Sequence, residues 1–334
     1  MKGTAASFGE KNGGFTIERA GMLTALQHLG TTGSRALGIP TGGAMDRYAL
    51  RVANWLVGNA QEATGLELTL ARPELTAQSD MLIAVCGAYM GPTVDGEELP
   101  MWRPVFVRRG AVIRFGRAES GCRAYVAAAG GLAGKPGARL AAGAAVHAAQ
   151  PAGRWAAAWL AALALEGAGR RRSAMAAAPW FAPPLAYGGA GDDGIELRAM
   201  PGSEYGQFSE AARDGFFRER YRVAPASNRM GIRLSGFPIE RESGAELLSH
   251  GVTAGAVQVP AGGEPIVLGA DCQTTGGYPK IAHVASVDMP LLAQAKPGDT
   301  IRFQYITVEE AQRLMLAFEI EMALLSAAIR CRTP

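Results

Sequence analysis

The sequence predicts a mainly β fold with a few helices, and three observations carry that expectation. The chain holds 44 glycines and 19 prolines in 334 residues, a turn density that suits short strands better than a helical bundle. Short apolar or alternating runs follow one another between those turns, as in closed or sandwich-like β domains. Strong helix-start signals are few. Asp46 precedes a run with an apolar face, and Thr307-Val-Glu-Glu310 has the form of a capping box.

The length is enough for about two domains. With 48% hydrophobic and 19% charged residues, the chain can bury large cores and is not mostly disordered. A net charge of +3 gives no electrostatic basis for binding nucleic acid or an anionic membrane.

Taken in order, Phe15–Glu18 alternates apolar and polar as a half-buried strand does. Gly38–Asp46 is a loop. Asp46 caps a helix from Arg47 to Leu56, with Ala49, Leu50, Ala53 and Leu56 on one face. Gly58-Asn59 ends it. Leu66–Leu70 alternates again, and Met81–Cys86 is a buried-strand run. Asp95-Gly96 suits the positive φ of a tight hairpin. Val105–Val107, Val112–Phe115 and Cys122–Ala127 are further short strands. Ala and Gly then dominate residues 133–192. This stretch is expected to be an insert or linker, with a helix from Arg154 to Glu166 and a breaker at Pro179–Pro184. The basic cluster Arg170–Arg172 reads as a solvated loop. Strands resume at Ile195–Arg198, followed by a short helical section at Ser209–Phe217. Gly255–Pro260 and Pro265–Leu268 flank a Gly-Gly turn. Pro297–Asp299 turns into a strand from Thr300 to Ile306, and Thr307 starts a helix to about Leu325. The division is thus an N-terminal β lobe over 1–132, the insert over 133–192 and a C-terminal β lobe over 193–334.

Metal and disulfide chemistry lack their signatures. Cys86, Cys122, Cys272 and Cys331 form no CxxC pair, and His28, His147, His250 and His283 form no HxxxH or HExxH; no metal site is expected. There is no Walker-type phosphate loop. No run reaches the ~20 apolar residues of a spanning helix, and the N-terminus lacks an apolar signal stretch. A cytoplasmic protein is expected.

Chemistry concentrates in loops rich in Gly and uncharged polar groups. Asp271-Cys-Gln-Thr-Thr-Gly-Gly-Tyr-Pro-Lys280 is the most telling. Gln273, Thr274 and Thr275 offer amide and hydroxyl groups. Gly276-Gly277 lets backbone N–H groups approach a ligand, and Tyr278 and Lys280 follow. Such a loop can hold a carboxylate, a ureido group or a phosphate. A tight turn with a solvated lysine is the plainer alternative. Lys280 and Arg229 are the candidates for an anionic intermediate, with Tyr278 beside them. Gln258, Asp46 and Asn54 complete the set, although Asp46 also suits a simple helix cap. Glu67, mid-strand beside Leu66 and Leu68, reads either as a buried carboxylate with a raised pKa or, more simply, as a partnered surface one. Cys272 as a nucleophile needs a base, and His283 is the available one.

The order of motifs is more specific than any one of them. Gly38-Ile-Pro-Thr-Gly-Gly-Ala-Met-Asp46, Ala53–Asn59, Leu66-Glu67, Cys86-Gly-Ala88, Asp95-Gly96, Arg123-Ala-Tyr125 and Ala129-Gly-Gly131 come first. Ser227-Asn-Arg-Met-Gly231, Val257–Pro260, Gln273–Pro279 and Ala293–Asp299 follow. Together they resemble the biotin-dependent carboxyltransferase-like family, which includes KipA, allophanate hydrolase subunit 2 and the C-type subunit of 5-oxoprolinase. The resemblance spans about Phe15 to Gln312. It implies two cyclophilin-like β-barrel lobes with a cleft between them. It implies one component of an ATP-dependent amide hydrolase, most simply 5-oxoprolinase. Its partners would be a KipI-like B-type subunit together with a LamB/YcsF-like A-type subunit. ATP would then be bound by the complex. The alternatives are biotin-linked carboxyl transfer to urea, for which this chain has no biotin-carrier motif, and a KipA-like regulatory role. The sequence departs from the family pattern at His28-Leu-Gly-Thr31, at Gly137-Ala-Arg-Leu140 and at Cys272.

Overall fold

The computed structural model describes residues 13–150, 153–169, 173–185, 187, 194–242 and 247–334. The cluster Arg170–Arg172 lies outside them. The fold is mainly β with five helices. The first lobe is built from two six-stranded sheets. One runs in the order Ala145–His147, Gly14–Ala20, Pro73–Ala77, Val112–Arg114, Thr93–Val94, Glu97–Glu98. The other runs Met175–Ala177, Val105–Val107, Met81–Tyr89, Ser120–Ala128, Gly65–Thr69, Leu23–Gln27. The hairpin at Thr93–Glu98 turns on Asp95 and Gly96, with φ of 48° and 91°. Both residues take the left-handed conformation that a primed two-residue turn needs.

Phe15, Ile17, Leu75 and Ile113 of the first sheet meet Leu66, Leu68, Ile83 and Val85 of the second in one core. The second sheet is covered on its other face as well. There Leu82, Ala84, Cys86 and Tyr125 pack under helix α1 (Arg47–Leu56) and helix α2 (Arg154–Gly169). This explains why Met81–Tyr89 reads as a continuous apolar run: both of its faces are buried. Residues 133–192, expected as an insert or linker, supply the edge strands Ala145–His147 and Met175–Ala177 and the covering helix α2. The alanines that make this stretch look featureless are small enough to pack closely on the sheet.

The second lobe is a closed seven-stranded barrel. Its circuit is Ile195–Pro201, Lys280–Val284, Ala256–Gln258, Ile266–Leu268, Gly231–Gly236, Arg220–Val223 and Thr300–Tyr305. A parallel pairing of the last strand with the first closes it, Leu197 opposite Phe303. Leu197, Tyr221, Leu234, Val257, Val267, Ile281 and Phe303 fill the interior, with Phe216 of helix α3 (Glu210–Arg218) stacked on Phe303 at 4.4 Å. A two-stranded ribbon, His250–Gly251 with Thr275–Gly276, stands apart from the barrel.

Two helices join the lobes. Helix α4 (Met289–Gln294) packs against strand Ser120–Ala128 of the first lobe. At six residues it is too short to show a helical period. Helix α5 (Val308–Arg330) starts at the expected capping box, Glu310 N to Thr307 Oγ1 at 3.2 Å and Thr307 N to Glu310 Oε2 at 2.7 Å. It runs past Leu325 because Ile329 is buried against the first lobe. Among the described residues no helix is long and apolar enough to cross a membrane.

Candidate functional site

A cleft of about 470 Å³ opens where the lobes meet. The first lobe contributes Thr41, Gly42 and Ala44 of the loop before α1, and Arg47, Tyr48 and Arg51 of α1 itself. The second contributes Thr253, Ala254, Ala270 and Ser286. The loop follows a tight path. Gly43 has φ +86°, and a Cβ there would lie 2.3 Å from the Gly30 nitrogen, so only glycine fits. Arg35 reaches across from the first lobe to the backbone carbonyls of Val252 and, at 3.5 Å, Gln273.

Beneath the cleft runs a buried polar chain that ties the lobes together. Leu66 and Leu68 turn inward to the first core, so Glu67 between them faces the opposite side of its strand. Docking of the second lobe then buries it completely. The simpler expectation of a surface carboxylate is corrected here, because burial by another lobe leaves no mark on local alternation. Glu67 Oε2 accepts from Tyr125 Oη at 2.7 Å and from Met45 N at 3.0 Å. Its Oε1 accepts from Arg229 Nη1. Arg229 also grips Asp271 with two bonds, 2.7 and 2.9 Å, and donates to Gly43 O at 2.5 Å. Burial works against the Arg229 charge, but Glu67 and Asp271 raise its pKa above the ordinary arginine value. Burial also pushes the Tyr125 phenol well up, and Glu67 adds to that.

Asp46 belongs to the same chain. Its Oδ1 caps α1 by accepting from Ala49 N at 2.9 Å, and its Oδ2 accepts from Gln294 Nε2 at 2.7 Å. Gln294 Oε1 in turn accepts from the backbone of Cys122 and Arg123, both at 2.9 Å. Burial raises Asp46 to about 6, against the pull of the Ala49 and Gln294 hydrogen bonds.

The expected site residues therefore divide. Asp46 and Arg229 are linked under the cleft floor through Tyr125 and Glu67. Gln273 and Thr274 lie behind its rim, held by Arg35 and by Val252 N to Thr274 O at 3.0 Å. Thr275 and Gly276 form the ribbon, and Gly277 follows. Gln258 is buried and donates to Tyr278 O at 3.2 Å, so it shapes the loop. Lys280 sits outside the cleft lining. Its Nζ contacts His250 Nε2 and lies 3.4 Å from Glu204. Burial disfavours the Glu204 carboxylate, yet the Lys280 N–H at 2.9 Å, Ser203, the Lys280 charge and the neighbouring His250 hold it below its usual range. Tyr278 is 50% exposed beside them. Asn54 falls elsewhere: it donates to Ala63 O at 2.7 Å and Gln61 O at 3.3 Å and accepts from Asn59 at 3.0 Å. All its groups are spent on a loop of the first lobe. Cys272 is buried, and burial pushes its thiol up while Arg35 beside it pulls the other way. His283 bonds Thr253 Oγ1 at 3.0 Å and the Val284 carbonyl. His28 accepts from Gly30 N at 3.1 Å and shapes the turn at the cleft edge.

Arg47 is the site residue that sequence reasoning missed. It is exposed along the cleft wall, partial desolvation there and the charge of Arg51 lower its pKa, and no acidic side chain among the described residues pairs with it. Arg51 differs, being held by Glu319 through bonds of 2.8 and 2.9 Å. Its position one residue after the cap was the available signal. A cleft holding an uncompensated guanidinium suits an anionic ligand. Asp46 already occupies the start of α1, where backbone N–H groups could otherwise cradle a phosphate.

Residues 37–305 match the family model described as carboxyltransferase domain, subdomain A and B. The chain is 37% identical over 318 residues to the C-type subunit of the Escherichia coli 5-oxoprolinase, covering 88% of this chain and 92% of that one. The solved structure of TTHA0988 superposes with a TM-score of 0.72 at 30% identity, over 89% of this chain and 56% of that one. The Kluyveromyces lactis urea amidolyase superposes with a TM-score of 0.79 at 25% identity, over 96% of this chain and 20% of that one. The chain thus spans nearly all of the first relative, little over half of the second and a fifth of the third. The match to the family model over most of the chain, with the same two-lobed β architecture, places this protein in the carboxyltransferase domain, subdomain A and B family.

Proposed function

We propose that this chain is the C-type subunit of a 5-oxoprolinase, an ATP-dependent amide hydrolase that opens 5-oxo-L-proline to L-glutamate. The observation that carries this reading is the near end-to-end similarity to the C-type subunit of the Escherichia coli 5-oxoprolinase. The cleft is compatible with it. 5-Oxoproline is a small planar lactam with one carboxylate, and Arg47 supplies the cation that a carboxylate needs. The polar chain from the part-exposed Asp271 through Arg229 to the buried Glu67 and Tyr125 holds the cleft floor in one geometry, which positions a ligand without reorganisation. ATP is used by the assembled cytoplasmic complex, whose other members are a KipI-like B-type subunit together with a LamB/YcsF-like A-type subunit. Lys280, paired with Glu204 and in contact with His250 outside the cleft lining, is proposed as a second group that engages an anion once the complex assembles, with Tyr278 beside it.

Biotin-linked carboxyl transfer to urea is the second reading, favoured by the structural likeness to urea amidolyase. That likeness covers one fifth of a much longer protein, so it speaks to the domain more than to the reaction.

The test is ATP-dependent glutamate release from 5-oxoproline by the complex purified with its neighbouring-gene subunits. Glutamate that disappears when this chain is omitted supports the proposal. A stable complex that releases none refutes it. In the active complex, Arg47→Ala should raise the 5-oxoproline KM at least ~10-fold, the loss of a charge-assisted bond, and Lys280→Ala should abolish turnover. Unchanged kinetics in both would remove Arg47 and Lys280 from the site.

A further inference from the structure

Helix α5 carries a row of apolar side chains that stay exposed among the described residues. One edge of the helix is packed: Met322 and Ile329 are buried, and Phe318 and Leu325 pack against the helical face of the first lobe. The opposite edge presents Leu316, Ile320 and Leu324, which are 65%, 53% and 66% exposed. Spaced four apart, they fall on one face, a turn from one another. A contiguous apolar face of this kind marks an interaction surface.

The order of these groups along α5 reads nearly the same from either end. Leu316 and Leu324 flank Ile320 at equal distances in sequence. Glu309 in the first turn and Arg330 in the last turn flank it almost equally, with opposite charge. We propose that α5 pairs with α5 of a second copy of this chain, antiparallel about a two-fold axis at Ile320. In that register Ile320 meets Ile320, each Leu316 packs beside a Leu324, and Glu309 of each copy meets Arg330 of the other. One patch thereby complements itself, as a closed two-fold dimer requires. The antiparallel direction also sets each helix N-terminus beside the other's C-terminus, which the helix dipoles favour. A parallel pair would place Glu309 on Glu309 and Arg330 on Arg330. Sliding one helix by about three residues, nearly a full turn, would set Arg313 against Arg330. Like-charge contacts select against both. A helix pair alone lies at the small end of specific interfaces, so the dimer dissociates on dilution.

The test is sedimentation equilibrium of the full chain from micromolar to several hundred micromolar. The wild type should show a reversible dimer. Ile320→Glu puts two carboxylates on the axis and should weaken dimerisation at least ~10-fold, with an unchanged thermal midpoint because the site is exposed. Arg330→Glu should weaken it, and adding Glu309→Arg should restore it. Cys331 is free and exposed, so crosslinking is read in a Cys331→Ser background. There Ile320→Cys should form a covalent dimer on mild oxidation, and Leu316→Cys should not. A wild type that stays monomeric throughout overturns the proposal, as expected if the face takes a different protein. So does a dimer that Ile320→Glu leaves intact, or one that Leu316→Cys crosslinks equally well.

Discussion

Asp46 holds a helix start and a lobe contact with one carboxyl group, and the two demands leave it with an unusual titration. Ala49 N and Gln294 Nε2 donate to it, which favours the charged form. Complete burial outweighs them and raises it to about 6, with the Glu67 charge adding to the rise. An aspartate in the unfolded chain titrates near ~3.9. Between these values the folded protein holds more protons than the unfolded one. Stability from this group is therefore greatest at low pH, falls as pH rises through about 4 to 6, and is level above, a change of roughly 3 kcal/mol at most. Asp46→Asn keeps a capping oxygen and loses the titration. Its amide nitrogen also turns a donor toward the Gln294 donor, so the variant is less stable overall. The margin by which the wild type exceeds it should be widest near about pH 4 and narrow toward pH 7. Urea unfolding of both proteins across that range reads the margin directly. A margin that stays constant, or widens with pH, contradicts the assignment.

At the scale of elements, local chemistry was a good guide wherever the element depends on its own residues. Helix α1 runs from Arg47 to Leu56 as the Asp46 cap and the apolar face predict. The Asp95-Gly96 hairpin and the Thr307 capping box also stand where their residues place them. Elements that depend on a neighbour were harder to see. The edge strands Ala145–His147 and Met175–Ala177 are three residues each, too short to show alternation, and exist because a longer strand offers them hydrogen bonds. Asn54 shows the same limit for function. A polar residue inside an amphipathic helix invites a ligand role, yet here it ties α1 to the loop at 59–63. Asn54→Ala strands the Ala63 and Gln61 carbonyls and the Asn59 amide. It should cost about 1–3 kcal/mol in denaturant unfolding and leave the 5-oxoproline KM unchanged below the unfolding temperature. A raised KM with full stability would return Asn54 to the binding site.

At the scale of the whole molecule, the site is a product of lobe docking, which is why only part of it was legible. The segment order was enough to select Asp46 and Arg229, far apart in sequence and joined here through Tyr125 and Glu67. Glu67 reads most simply as a surface residue because it sits in an alternating strand, and Gln294 gives no signal from within a six-residue helix. Both are buried only when the lobes meet. The Arg229–Glu67 pair should therefore report on lobe coupling. Arg229→Met leaves Glu67 buried with Arg123 Nε, at 3.9 Å, as the remaining cation. Removing the main partner of a buried ion pair of this kind costs up to about 3–5 kcal/mol. Removing the carboxylate too, in Arg229→Met with Glu67→Met, takes away the charge that needed a partner. The double variant should then be less destabilised than the sum of the singles by about 2 kcal/mol or more. Guanidinium unfolding of the four proteins completes the cycle, with barrel and first-lobe probes followed separately. Strong coupling with coincident transitions means that the buried chain makes the lobes one cooperative unit. Additive losses, or two separate transitions in the wild type, would mean that each lobe stands alone and the cleft floor is only loosely held.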